Sequence, residues 1–335
     1  MPGSSARSRA RRRAQASGGH RGGCEEGAAA RCRVRNVSRA SIFRRWLLDT
    51  FGREALGAGA GVLDVAGGKG ALAFELANLN GLRATVLDPR PLSLGRHALL
   101  LQCGFLHRNA AFGAYVDRPL AACVASGPVW PGHLRLVATP RLAAAVMGDP
   151  DPDCRTSGAG ELVQRLVWEG LQDALSPRWL HAARSHEGGG ASLPEGDEDA
   201  RVQGSVAAAG AARQREDPMA SPGVVPPRVV AAAGVAGAAQ TVYDVLRECS
   251  VVAAMHPDQA TEFAIDLAQL GRKPFAIVPC CVHAQAYPER CLADGRPVGT
   301  YEELIEYLAA RDPAIRVNEL PIEGRNLVVY CTAWS

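Results

Sequence analysis

Lysine is nearly missing from this 335-residue chain: of its 37 basic residues, only Lys69 and Lys273 are lysines. The rest are arginines. Together with the abundance of Ala and Gly, this skew follows GC-rich codon usage, so a single arginine carries little information. Aromatic residues make up 5% of the chain, and the body has no basic stripe with aromatics interleaved, which argues against a nucleic-acid groove there. No run of about 18 apolar residues occurs, so no membrane span is expected. The longest, Val229 to Ala239, is short and mostly Ala and Gly. The ten cysteines are scattered without a CxxC pair, and no secretory apolar segment follows the first Met. This argues against a disulfide scaffold, and reduced thiols in an intracellular protein are expected.

What is present is unevenly distributed. The formal net charge is +3, yet residues 1–45 hold twelve Arg and only two Glu. The remainder is therefore net acidic. Residues 1–38, with "RARRR" at 9–13, read as a disordered basic arm or targeting segment lying outside the fold. A transit peptide would send the chain to chloroplast or mitochondrion, a nuclear signal to the nucleus, and an RNA-contacting arm would make RNA a partner. Residues 183–235 include "GGG", "PEGDEDA" and "SPGVVPPR", a composition unable to support a packed core, and read as a disordered insertion. One domain is then expected from residues 39–182 and 236–335.

Within that domain, periodicity alternates between strand and helix. "SIFRRWLLDTFG" spaces its apolar residues as an amphipathic helix with Ser41 as N-cap and Gly52 near its end. Arg44 and Arg45 are expected on its solvated face, with contact to an anion, as for Arg90, the alternative. Strands are expected at 62–65, at "RATVLD", at 133–139, and at "SVVAAM" and "PFAIVP", with helices at 161–175, at "AAQTVYDVLREC", at "DQATEFAIDLAQLG" and at "YEELIEYLAARD". The connection before residue 133 has no readable pattern. The chain closes on two strands around "PIEGR". This order predicts an α/β fold with a doubly wound, seven-stranded Rossmann-like sheet, order 3-2-1-4-5-7-6, strand seven antiparallel.

The glycine turn "LDVAGGKG" discriminates among nucleotide motifs. A P-loop fails, because Leu63 stands where its first glycine belongs and Gly70 follows Lys69 in place of Ser or Thr. The dinucleotide fingerprint fits weakly, with Ala66, Gly68 and Ala71 at its glycine positions. Asp64, Ala66, Gly68 and Gly70 match acidic-x-G-x-G-x-G with one Gly replaced, and the terminal hairpin suits the same fold. The chain here resembles class I S-adenosylmethionine (SAM)-dependent methyltransferases. "AAMHPDQATE", "PFAIVPCCV" and "EGRNLVVYCT" extend the resemblance to eukaryotic methyltransferase-domain proteins, over roughly residues 41–110 and 240–331. More distantly the chain is similar to a group that includes CHH-zinc-finger tRNA ribose methyltransferases, although no such finger is visible here. The resemblance implies SAM as cofactor. Asp64, Ala66, Gly67, Gly68 and Gly70 would line its methionine part, and Asp88 would accept the ribose hydroxyls.

Ligands of open α/β sheets bind beyond the carboxyl ends of the strands, where two further polar clusters fall. In "MHPDQATE", Asp258 and Glu262 suit a helix N-terminus, while His256 can take a proton from an OH or NH acceptor, with Asp258 orienting it. In "VPCCVH", Cys280 can be a nucleophile of the Pro-Cys type, Cys280, Cys281 and His283 can join a metal site with His256 or Cys291, or the thiols can simply line a pocket. Adjacent cysteines in a strand point to opposite faces and no second pair completes a tetrahedron, so no metal site is assigned. The candidate catalytic residues are His256, Asp258 and Cys280. The methyl acceptor is unknown, and a catalytically silent scaffold of the same fold is the alternative.

Overall fold

The computed structural model describes residues 39–108, 113–148, 158–175 and 239–335. The basic arm and the low-complexity insertion lie outside the described residues. Helix α1 (Arg39–Gly57) feeds β1 (Val62–Val65), α2 (Ala71–Asn80) and β2 (Ala84–Leu87). Three helices follow, α3 (Gly95–Gln102), α4 (Phe105–Arg108) and α5 (Leu120–Ser126), and then β3 (Gly132–Leu134). Helices α6 (Pro140–Gly148), α7 (Gly158–Ala174) and α8 (239–248) lead to β4 (Val251–Met255). A short 3-10 turn, Asp258–Ala260, opens α9 (Thr261–Leu270), and β5 (Phe275–Val278), α10 (Tyr301–Ala309), β6 (Arg316–Glu319) and β7 (Leu327–Cys331) complete the chain.

The seven strands form one sheet in the order β3-β2-β1-β4-β5-β7-β6. The first five pair in parallel, and β7 runs antiparallel to β5 and β6. That is the expected topology. The central strands are buried along their length because helices cover both faces, the usual requirement of a parallel sheet. Strand alternation divides the core. Leu63, Val65, Val252, Ala254, Phe275 and Ile277 pack toward α6–α10. Val62, Val251, Ala253, Ala276 and Val278 pack toward α1 and α2. The outer strand β6 is exposed throughout and carries Arg316 and Glu319, charges that discourage pairing of that edge with another chain.

Several local expectations are corrected. The third strand ends at Leu134 instead of running to residue 139. Val137 N–H donates instead to the Gly170 carbonyl of α7, and a β-carbon on Gly170 would sit 2.6 Å from the Val137 oxygen. The sheet is thus abandoned for a helix contact that only glycine permits. Ser41 does not cap α1; it lies inside the helix, buried, and its hydroxyl donates to Glu75. At Gly52, non-helical with φ 77°, the first helical segment does end as expected, and a second segment continues α1 to Gly57 across the kink. Arg44 is fully buried, not solvated: it donates to Glu75, Asn80 and the Tyr115 carbonyl, tying α1 to α2. The unread connection before β3 holds α3–α5, which share a small apolar cluster with Phe74 and Leu79 of α2.

Candidate active site

The β1–α2 turn is built around a carboxylate. Asp64 shares the parity of Val62, which aims it at the α2 face, under the turn that follows. It is 1% exposed, and its Oδ2 has no hydrogen-bond partner among the described residues. Burial, and then the negative charge of Asp88, push its pKa up to about 8; only the Ala73 N–H in the first turn of α2 favours the anion. The turn closes tightly over this group. A β-carbon on Gly67 would lie 2.4 Å from Asp64 Oδ2, so glycine is required there by close approach alone. Ala66, which replaces the motif's first glycine, has φ 53°. An L-residue there costs about 1–2 kcal/mol, strain the motif's glycine would avoid.

Asp88, immediately after β2, is in the opposite condition. It is as buried as Asp64, yet each oxygen holds two donors. Oδ1 accepts from Arg90 N (2.8 Å) and Arg90 Nε (2.9 Å), and Oδ2 from Gly68 N (2.8 Å) and Arg90 Nη2 (2.8 Å). That exhausts the roughly four lone-pair sites of a carboxylate. The Gly68 bond locks the glycine turn to the end of β2. The Asp88 carbonyl accepts from buried His133 Nε2, which fixes that ring as the Nε2–H tautomer. The Arg90 side chain is partly exposed, and a further donor can bond the Asp88 carboxylate only where one of these bonds is given up.

The ends of β4 and β5 supply the other half. His256 N–H donates to the Val278 carbonyl, extending the strand pairing one residue, and the chain then turns sharply, with φ 57° at His256 and 51° at Asp258. Arg39 Nη1 lies 3.3 Å from His256 Nε2. A guanidinium only donates, so Nε2 is the bare nitrogen and Nδ1 carries the proton. Nδ1 is buried without a partner among the described residues. Burial and the Arg39 charge lower the His256 pKa against the weaker pull of Asp258, so the ring is neutral at neutral pH. In this arrangement the Nδ1 proton is enclosed in the protein, and action as a base requires Arg39 to leave Nε2.

Strand β5 ends at Val278, so Cys280 and Cys281 do not alternate across a strand, and the geometric argument against their acting together lapses. Cys280 Sγ lies 3.1 Å from Asp258 Oδ1. Its pKa is driven far above the ordinary thiol value by burial, then by hydrogen bonds to Asp258 and Cys281 and by the Asp258 charge. Such surroundings keep the proton on sulfur and work against a thiolate nucleophile. His283, with φ 51°, places Nε2 4.0 Å from Asp258 Oδ1. Cys291 lies apart, in an isolated bridge with Pro297.

Both turns are braced from α9. Buried Arg290 donates to Glu262 (2.7 Å) and to the Val282 carbonyl (2.6 Å), while Arg311 joins Glu262 (2.9 Å) to Asp266 (2.5 Å). Tyr287 donates to the Gln259 carbonyl and its ring supports the Arg290 guanidinium at 3.9 Å. Glu262 is thus a helix N-terminal acid and also the anchor of the post-β5 loop.

The structure therefore brings Asp64, Ala66, Gly67, Gly68, Gly70 and Asp88 to one corner, and His256, Asp258 and Cys280 to the adjacent strand ends. Arg90, bonded to Asp88, also feels the charge of Asp258. Sequence reasoning missed Arg39 and Arg290. Nothing near Arg39 in the sequence distinguishes it from the arginines that precede it. Among the described residues no helix is long and apolar enough to cross a membrane. In comparisons with known proteins, the chain matches no family model, no curated protein and no solved structure.

Proposed function

We propose that this chain is a SAM-dependent methyltransferase. The observation that carries the reading is Asp64: a carboxylate buried under a glycine turn at the centre of the sheet edge, with one oxygen unpartnered. An ammonium group is the natural complement of that oxygen, because ionising Asp64 without a cation is opposed by burial and by Asp88. The methionine part of SAM presents such a group. Asp64 would hold it once the turn over Oδ2 opens, the backbone from Ala66 to Gly70 would follow the methionine chain and ribose, and Asp88 would take the ribose hydroxyls after Arg90 is displaced. When bound, SAM supplies an electrophilic methyl on its sulfonium sulfur.

The chain's own contribution to transfer is chiefly positioning, since a methyl held in line with a nucleophile needs little further assistance. His256, with Nδ1 buried and Nε2 facing Arg39, could take a proton from an oriented OH or NH acceptor only after Arg39 leaves Nε2. Asp258, exposed and held by the turn, can accept from the same group. The RNA reading of the basic arm rests on residues outside those described. A silent scaffold of the same fold draws specific support from Asp88, whose hydrogen-bonding capacity Arg90 fills. Calorimetry on the full chain decides between them. Binding of SAM or S-adenosylhomocysteine, abolished by Gly68→Asp, supports the enzyme. No binding of either at millimolar ligand leaves the scaffold.

A further inference from the structure

Three side chains of different chemistry converge beyond the ends of β4 and β5. The Asp258 carboxylate, the Cys281 thiol and the His283 imidazole place one ligand atom each so that all three lie within 4.8 Å of one another. They reach this arrangement from two separate turns, 258 and 281–283, and the turn residues Asp258 and His283 both adopt left-handed backbone. His283 Nε2, the atom that faces the cluster, is buried and has no hydrogen-bond partner among the described residues. The β5 loop that carries two of the three is fixed to α9 by Arg290 and to the 3-10 turn before it by Tyr287.

We propose that Asp258, Cys281 and His283 form a three-ligand site for a thiophilic divalent cation of the zinc class. The donor set selects the metal. One thiolate, one imidazole and one carboxylate suit a borderline-soft ion, whereas magnesium and calcium require oxygen-rich shells. Tetrahedral zinc at its usual bond lengths sets its ligand atoms roughly 3.3–3.6 Å apart. The 4.0 Å between His283 Nε2 and Asp258 Oδ1 must close by less than an ångström, and a pair at the 4.8 Å bound by about 1.5 Å. The exposed side chains of Asp258 and Cys281 can make that adjustment at little cost.

Cys280 has a different part. Its sulfur is not among the three converging atoms, and its S–H instead approaches Asp258 Oδ1 at 3.1 Å. It is a positioning residue that orients the carboxylate, as outer groups do around bound metals. Three protein ligands leave one coordination position for water or a substrate oxygen. The site stands without the SAM reading: it shares only Asp258 with it, and none of its residues belongs to the Asp64–Asp88 corner.

Cobalt(II), added to the reduced full chain without oxygen, tests the assignment directly. The expected result is one cobalt per chain, tetrahedral ligand-field bands and a thiolate-to-cobalt charge-transfer band, all removed by stoichiometric zinc. Cys281→Ser should abolish the charge-transfer band and weaken cobalt binding at least about tenfold, as should His283→Gln for the affinity. Cys280→Ser should keep the band, since serine can still donate to Asp258. Thermal melts of each variant separate loss of metal from loss of fold. Absence of tetrahedral bands in the unaltered chain would overturn the proposal. So would a charge-transfer band that survives Cys281→Ser.

Discussion

Two aspartates stand at the ends of neighbouring strands, 24 residues apart. Their surroundings are opposite. Asp64, at the end of β1, is sealed beneath a glycine turn with an empty-handed oxygen and a pKa pushed up to about 8. Asp88, just past β2, is equally buried but holds four donors, three of them from Arg90. One corner is short of a cation; the other is already supplied. A cofactor that enters this edge would complete the first and would have to compete at the second.

Glu75 provides the sharpest contrast, as a third buried carboxylate whose cation lies within the fold. Glu75→Leu should strand the buried Arg44 charge and cost about 3–5 kcal/mol, read by denaturant unfolding. Asp64→Asn should act in the reverse direction on the empty protein. A carboxyl whose folded pKa is raised above its unfolded value contributes stability that is full below the unfolded pKa and is lost as pH rises through the folded one. For Asp64 the window runs from about pH 4 to about pH 8. Asparagine has no such dependence, so the variant should melt higher than the natural chain at pH 9. The same substitution should weaken SAM at least about a hundredfold, through loss of a buried charge pair.

Arg90→Ala probes the competition at Asp88. Freed of its internal guanidinium, Asp88 should bind ribose more readily, and SAM affinity should rise about three- to tenfold if two displaced hydrogen bonds are the barrier. A fall of similar size would mean that Arg90 contacts the cofactor. The smallest expected effect is that of Ala66→Gly. Relief of left-handed strain is partly offset by the greater freedom of glycine in the unfolded chain, leaving a gain within about 1 kcal/mol in thermal unfolding.

These contrasts mark the limit of what could be read from residues alone. The sheet was legible because its strands are short apolar runs separated by helical periodicity, and because a five-residue "PIEGR" turn forces the last two strands to be antiparallel. Asp64, the glycines and Asp88 were legible as positions at strand ends. Their states were not, since the saturation of Asp88 depends on the rotamer of Arg90 and on the Gly68 N–H, neither of which has a sequence signature. Arg44 was misread for a related reason. Its helical position suggests a solvated face, and only the docking of α2, with Glu75 and Asn80, makes burial tolerable. The cysteine pair was discounted by strand alternation, an argument that failed when the strand stopped two residues earlier.

The most direct measurement is the proton count of SAM binding near pH 7, taken by calorimetry in buffers of different ionisation enthalpy. Empty Asp64 is mostly protonated at that pH, and pairing with an ammonium group would ionise it. The account predicts release of close to one proton in the natural chain, with Asp64→Asn releasing none at the weak binding it retains. Tight binding with no proton released, or release undiminished in Asp64→Asn, would contradict it.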